Sequence, residues 1–171
     1  MQSPDYILRT ERLGLREYRS SDLAALADVF SDPYARRFYP DHGQEERLRG
    51  WIEWSQRNYR VLGFGLWALE LLDSGQFAGD AGLTLQPVGG RPMLEVGYHI
   101  HASLRGRGLA TEVARACLHW AFSNTQHGLV CSIVHPDNAA SIRVAEKVHR
   151  SRRTFAGRSG PMLLFYTSRR S

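Results

Sequence analysis

Seven consecutive residues, Arg105-Gly106-Arg107-Gly108-Leu109-Ala110-Thr111, bring together the groups that an anionic ligand needs. Two glycines let the backbone turn tightly and present successive N–H groups. The run leads into a helical stretch whose N-terminus carries partial positive charge, and two arginines reinforce it. The chemistry that suits such a turn is phosphate or pyrophosphate binding. A P-loop would end in Gly-Lys-Ser/Thr, which is absent. A dinucleotide fingerprint would put a third Gly or Ala where Thr111 stands and an acid on the next strand, and residues 131–135 offer none. Taken alone, a Gly/Arg turn is equally compatible with a purely structural connection.

The flanking sequence supplies elements that would hold this turn in place. Residues 93–101 (MLEVGYHIH) read as a strand entering it. The run from Ala102 to Phe122 joins the turn to a long helix with Val113, Ala116, Cys117, Trp120 and Ala121 inward. Residues 128–135 (GLVCSIVH) are nearly continuously apolar, as a strand buried on both faces would be, so 93–135 predicts a parallel crossover. Upstream, 11–17 is a strand with Leu13 and Leu15 on one face. Ser20 to Asp22 cap a helix that Asp32-Pro33 stops. Residues 44–59 form a second amphipathic helix with Leu48, Trp51, Ile52 and Trp54 on its buried side. The runs 63–71, 76–86 and 93–101, separated by Asp73-Ser74-Gly75 and Pro87-Val88-Gly89-Gly90, predict an antiparallel meander. Downstream, 138–146 is a helix capped by Asn138, and 151–157 and 162–168 are strands. No repeat or low-complexity tract interrupts the pattern. The expected fold is α/β of the α+β type: a single domain over 1–171 with one mostly antiparallel sheet and helices on both sides.

A chain of 171 residues, 43% of them apolar, can bury one core and little more. It has no run of eighteen apolar residues and no basic start followed by an apolar stretch, so a soluble, cytoplasmic protein is expected, neither membrane-bound nor secreted. Cys117 and Cys131 stand in no metal spacing and read as small core residues. Of the 22 Lys and Arg, only Lys147 is lysine, a bias that base composition accounts for better than mechanism. Position says more. Residues 1–100 carry 11 Arg against 14 acids, while 101–171 carry ten Arg and Lys147 against Glu112, Asp137 and Glu146. The excess of +5 is therefore C-terminal and implies an anionic partner. Nucleic acid is disfavoured, because no recognition helix and no basic stripe interleaved with aromatics accompanies the charge.

Around the turn the sequence resembles the GCN5-related N-acetyltransferases, whose acetyl-CoA motif Gln/Arg-x-x-Gly-x-Gly/Ala is matched by Arg105, Gly108 and Ala110. Thr111-Glu112 continues it in the style of the RimJ/RimL-like ribosomal-protein N-acetyltransferase branch. Further marks of that branch are TERLGLRE near the start, SDP and FYP between Ser31 and Pro40, EVGYHI at 95–100 and NAASIRVAEK at 138–147. The resemblance implies a sheet splayed in the middle with acetyl-CoA as cosubstrate wedged in the opening. Its pyrophosphate would sit on the amides of Gly106, Arg107, Gly108, Leu109, Ala110 and Thr111, with the neighbouring arginines on its phosphates. Its pantetheine arm would lie along backbone groups of Tyr98 and Ile100, with Asn138 bonding the arm and Ser141 facing the sulfur.

Amide formation at such a site needs a neutral amine, a stabilised oxyanion and a protonated thiolate. Glu95 is the first candidate for the base, directly or through water, although strand alternation puts it and Tyr98 on opposite faces, and a solvated or arginine-paired acid is the plainer reading. His99 and His101 share a face and could hold a proton or a metal, but an isolated H-x-H on a strand is more often plain, and no metal is expected. A backbone N–H of the 95–100 strand would serve the oxyanion. The tyrosine that the wider superfamily places seven residues after the asparagine is Ala145 here, and in the branch Ser141 stands in for it, beside its ordinary use as a first-turn cap. After Lys147 the chain has Val148-His149-Arg150 where the branch has Leu-Gly-Phe or Leu-Gly-Met. This removes a left-handed cap and a core plug and predicts a displaced helix end. Arg150, Arg152 and Arg153 in that turn read as solvated, or within reach of a phosphate or an acidic acceptor.

The expected function is acetyl transfer from acetyl-CoA to a primary amine, a protein N-terminal α-amine or a small-molecule amine, by direct attack in a ternary complex; neither cysteine falls on the site. The acidic N-terminal half slightly favours a cationic acceptor. The alternative is a non-catalytic acyl-CoA-binding sensor or scaffold, motivated by the altered helix end. Edge-strand pairing is a route to a homodimer.

Overall fold

In the computed structural model, residues 5–169 are described; residues 1–4 and 170–171, the two ends of the expected domain, lie outside the described residues. The meander forms as the turn residues demand: β3 (Leu66–Leu71), β4 (Phe77–Val88) and β5 (Arg91–Ile100) are antiparallel neighbours. On the far side of β3 lie β2 (Leu13–Arg16) and a two-residue edge strand, β1 (Leu8–Arg9), that the sequence reading passed over. On the far side of β5 come β6 (Leu129–Val134), β8 (Gly160–Ser168) and β7 (Ser151–Gly157), which gives an eight-stranded sheet of order β1-β2-β3-β4-β5-β6-β8-β7.

The expected crossover is present. α4 (Leu109–Asn124) links β5 to a parallel β6, but the two strands pair only at Leu94 with Val130 and Glu95 with Cys131. Beyond that point they diverge, and side chains take over from the ladder. Ile133 N–H donates to Glu95 Oε1 at 3.1 Å, and Ser132 Oγ donates to the Val96 carbonyl at 2.8 Å. The sheet is therefore splayed in its middle.

Two apolar layers hold the opening. α4 buries Leu109, Val113, Ala114, Cys117 and Ala121 against Leu13, Trp67, Leu83, Leu94 and Val96 on one face. On the other face α1 (Leu23–Val29) and α3 (Glu45–Leu62) bury Leu26, Val29, Leu48 and Ile52 against Leu66 and Ala68. Trp51 and Trp54, expected in that buried stripe, are only partly covered and face a cavity instead. Cys117 and Cys131 are fully buried, as expected, and burial pushes both thiols up to about 12. Among the described residues no helix is long and apolar enough to cross a membrane.

Two local outcomes differ from the sequence reading. Asp32-Pro33 does stop α1, but it also starts α2 (Pro33–Phe38): Pro33 takes the first helical position, and the Asp32 side chain accepts from the N–H groups of Tyr34 and Ala35 at 3.0 and 3.2 Å. α5 (Ala139–Val148) does not need a left-handed cap, because the chain leaves it through an extended His149 (φ −101°) directly into β7. His149 is itself the plug. It is 8% exposed, with Nε2 at 3.0 Å from Ser132 Oγ and Nδ1 at 3.2 Å from Thr167 Oγ1. Burial lowers its pKa to about 4, so it is neutral at ordinary pH.

Candidate active site

The turn at 105–111 has the backbone its glycines allow. Gly106 and Gly108 have φ of 76° and 77°, in the left-handed region, and Gly108 is the N-cap of α4. The first helical bond is Glu112 N–H to the Gly108 carbonyl, which leaves the preceding amides of the helix start without helical partners. Among the described residues, no atom outside its chain neighbours lies within 4 Å of where a Gly106 side chain would begin, so the space in front of the turn is open. Arg12 braces the turn from behind, with Nη1 on the Arg107 carbonyl at 2.9 Å and Nε on Glu112 at 2.7 Å. Thr10 Oγ1 donates to the same Glu112 carboxylate at 2.6 Å.

In front of the turn is a cavity of about 290 Å³. It runs between the N-termini of α4 and α5, with the C-terminal half of β5 as its floor. Tyr98, Ile100, Arg105, Gly106, Gly108, Leu109, Ala110, Thr111, Asn138 and Ser141, expected from the sequence to meet a cofactor, all line it. Arg107 does not; its side chain is exposed. The Arg105 guanidinium is already engaged. It holds both Asp32 oxygens at 2.9 and 2.8 Å and donates from Nε to the Ile100 carbonyl at 3.0 Å. This pairing and the two capping amides keep the Asp32 carboxyl below its ordinary range. Arg105 thus acts as a strut between α2 and the turn. Arg150, Arg152 and Arg153 are exposed, and Arg152 meets Glu146 on the surface.

The floor carries the free strand edge. The carbonyls of Val96 and Ile100 turn toward the opening, accepting from Ser132 and Arg105, so by the two-residue period Tyr98 N–H and C=O turn the same way where no strand lies alongside. On the opposite wall the Asn138 amide is fixed. Its Oδ1 accepts from Ser141 N–H at 3.1 Å and Tyr34 Oη at 2.7 Å, so Nδ2 is the group left to donate.

A second, larger cavity of about 580 Å³ lies on the other side of β5 and reaches the β7–β8 hairpin. Glu95 lines it, apart from the first cavity, as strand alternation requires. Its carboxyl accepts from Ile133 N–H and, at 3.1 Å, from Thr84 Oγ1, and burial pushes its pKa up to about 7. His99 also faces this cavity. Its Nδ1 lies 2.6 Å from Oδ1 of fully buried Asp80, whose Oδ2 accepts from Tyr18 Oη at 2.7 Å and Trp51 Nε1 at 2.9 Å. Burial alone would raise the Asp80 pKa, but the imidazole and the two other donors outweigh it and keep the carboxylate ionised. Nδ1 is therefore the nitrogen that donates to Asp80, and Nε2 is the one turned away from it. Phe38, Tyr39, Tyr98, His99, Asn138 and Ser141 line both cavities and mark where they meet. His101 stands outside this junction, bonded to Asp28 at 2.9 Å and to Ser103.

The sequence reading missed Arg12, Asp32, Tyr34, Tyr39 and Asp80. The Asp80 pairing was within reach. A two-residue turn at Gly89-Gly90 pairs Val88 with Arg91 and, counted back along the hairpin, Thr84 with Glu95 and Asp80 with His99.

This splayed α/β sheet, with a glycine turn opening onto its gap, has known relatives. Residues 12–150 match the acetyltransferase (GNAT) domain family, and the chain belongs to it. It is 37% identical to the uncharacterized protein YkkB of Bacillus subtilis (strain 168) over 142 residues, 82% of this chain and 83% of that one. Among solved structures it resembles an acetyltransferase from Agrobacterium tumefaciens str. C58, with a TM-score of 0.82 and 28% identity over 99% of this chain and 97% of that one. RimL, the ribosomal L7/L12 alpha-N-protein acetyltransferase solved in complex with coenzyme A, shares the fold at 17% identity, with a TM-score of 0.75 over 96% of this chain and 98% of RimL.

Proposed function

We propose that this acetyltransferase moves an acetyl group from acetyl-CoA to a primary amine, either the α-amine of a protein N-terminus or that of a small molecule, by direct attack, as in the RimJ/RimL-like branch. The observation that carries the reading is the junction: six residues line both a cavity headed by the glycine turn and a cavity holding Glu95. The residues suit the cosubstrate: open amides for a pyrophosphate, a bare strand edge for an extended amide chain, and a fixed side-chain amide opposite. Acetyl-CoA supplies an acyl group activated as a thioester, with a thiolate as leaving group.

The remaining work falls to the chain. The amides of residues 106–111 hold the diphosphate, and Leu109 and Ala110 pack beside it. Tyr98 N–H and C=O pair with the pantetheine arm as an added strand would. Asn138 Nδ2, aimed by Tyr34 and Ser141, donates to the same arm. Glu95 takes the proton of the attacking amine; its pKa of about 7 suits it to an α-ammonium. Ser141 Oγ, on the junction, relays a proton from water to the sulfur.

One observation supports a second proton acceptor. His99 shares the Glu95 face of β5, with Nδ1 bonded to Asp80 and its ring on the junction. Tyr39, His42 and Asp80 are the titratable groups around it. Free-thiol release measured against pH for Glu95→Gln and His99→Gln decides between them. The reading expects the acid limb of the rate profile to vanish in Glu95→Gln and to survive in His99→Gln; the reverse assigns the proton to His99. Acetyl-CoA binding measured by calorimetry tests the cradle, and wild-type affinity in Gly108→Glu would remove it.

A further inference from the structure

The larger cavity selects among amines by its composition, and the argument rests on the transferase reading above. Trp51 and Trp54 of α3, Phe38 and Tyr39 at the end of α2, Phe155 of β7 and Met162 of β8 stand along its walls. Of the 17 Asp and Glu residues in the chain, only Glu95 lines it. Asp80 lies behind the wall with both oxygens occupied and is 0% exposed. Among the described residues, the one arginine on the lining is Arg158, exposed in the β7–β8 turn at the outer end. The negative charge of residues 1–100 is thus not expressed in the cavity that those residues help to build.

A polycationic amine would find one carboxyl for its first ammonium, aromatic rings for the rest and an arginine at the outer end. Each further charge would be desolvated against rings and neutral groups such as Gln86, Asn138 and Ser159, with no second carboxylate to pair it. An apolar body has the opposite balance, gaining from every ring it covers. The strand also makes room for a single ammonium head. Glu95, Gly97 and His99 take alternate positions on one face of β5, and the central position has no side chain. The only atom within 4 Å of a Cβ built there, outside its own chain neighbours, is Leu66 Cδ2 at 3.5 Å.

We propose that the acceptor is a singly charged primary amine on an aromatic or branched apolar body, with its head over Gly97 between Glu95 and His99 and its body against Trp54 and Phe155.

The test uses the full chain with saturating acetyl-CoA and follows free thiol. One arm contains phenethylamine, phenylalaninamide and a peptide beginning with phenylalanine; the other contains spermidine and kanamycin. The expected kcat/KM on the best aromatic amine exceeds that on either polycation by about thirtyfold, the order set by burying one ring. Turnover of the peptide against that of the two small amines separates a protein N-terminus from a free amine within the same class. Trp54→Ala is expected to raise KM for the aromatic amine about tenfold with kcat within about threefold, and Phe155→Ala, on a different element, to act in the same direction. Equal or better turnover of the polycations overturns the acceptor class and leaves the transferase reading intact, as does an unchanged KM in both variants. If acetyl-CoA binds and no amine in either arm releases thiol, the transferase reading fails and this inference fails with it.

Discussion

The two cavities that meet at Tyr98 and Ser141 are made from different materials. The one headed by the glycine turn presents backbone groups: two left-handed glycines, the free amides of a helix start and the bare edge of β5. The one holding Glu95 presents side chains: rings from α2, α3 and β7 around one carboxyl from β5. A backbone site demands particular residues at fixed local spacing, because only glycine enters the left-handed region without penalty and only a helix start leaves its amides open. A side-chain site demands only that some apolar residue arrive from each of several distant elements, which tertiary packing decides.

The sharpest way to break this contrast is Gly108→Glu. A left-handed glutamate at the helix start, facing a diphosphate, should weaken acetyl-CoA binding about a thousandfold, from backbone strain and like charge together. Calorimetric titration checks it, and an effect confined to amine KM would dissolve the distinction between the two sides.

The next largest effect concerns the buried His149 plug at the end of α5. An unfolded imidazole titrates near 6.5, and folded His149 at about 4. The unfolded chain therefore binds the extra proton between these values, and stability falls as pH drops through that window. The loss reaches about 3 kcal/mol by pH 4. Urea unfolding at pH 7 and pH 4.5 should show that His149→Gln flattens this part of the slope, with no pH-dependent contribution from the residue above about pH 8.

Ser141→Ala should lower kcat about a hundredfold, within the usual range for general acid catalysis, with acetyl-CoA affinity within about twofold of wild type. An unchanged maximal rate would leave Ser141 as a first-turn residue only. The smallest effect is expected from Tyr34→Phe. It removes one of two donors to Asn138 Oδ1 at a half-exposed position and should raise the KM for acetyl-CoA about threefold.

The same division governs what could be read from the sequence. The strand-turn-helix around Gly106 and Gly108, the parallel crossover to 128–135 and the Asn138 cap are local patterns, and they stand where periodicity and capping put them. α2 was hidden because Asp32-Pro33 is both a helix stop and a helix start, and nothing in the dipeptide separates the two uses. The strut from Arg105 to Asp32 and the brace from Arg12 to Arg107 join residues 73 and 95 positions apart, beyond any local pattern. Arg105 reads as a phosphate ligand by sequence because an unpaired guanidinium is assumed until its partner is known. His149 looked like a lost cap because a helix end is usually judged by its glycine. Here the backbone leaves extended, and the imidazole fills the space between Ser132 and Thr167. The Asp80–His99 pair was implicit in the hairpin register, but only once the turn is taken as the two residues Gly89-Gly90.

The central claim is that the two cavities serve one reaction, and the most direct measurement follows both products at once. Free coenzyme A thiol and acetylated amine are quantified by mass spectrometry from the wild-type chain with acetyl-CoA and phenethylamine. The account predicts the two in equal amounts, rising with amine concentration to saturation and absent in Gly108→Glu. Tight acetyl-CoA binding with neither product formed from any amine would contradict it and leave an acyl-CoA-binding module in its place.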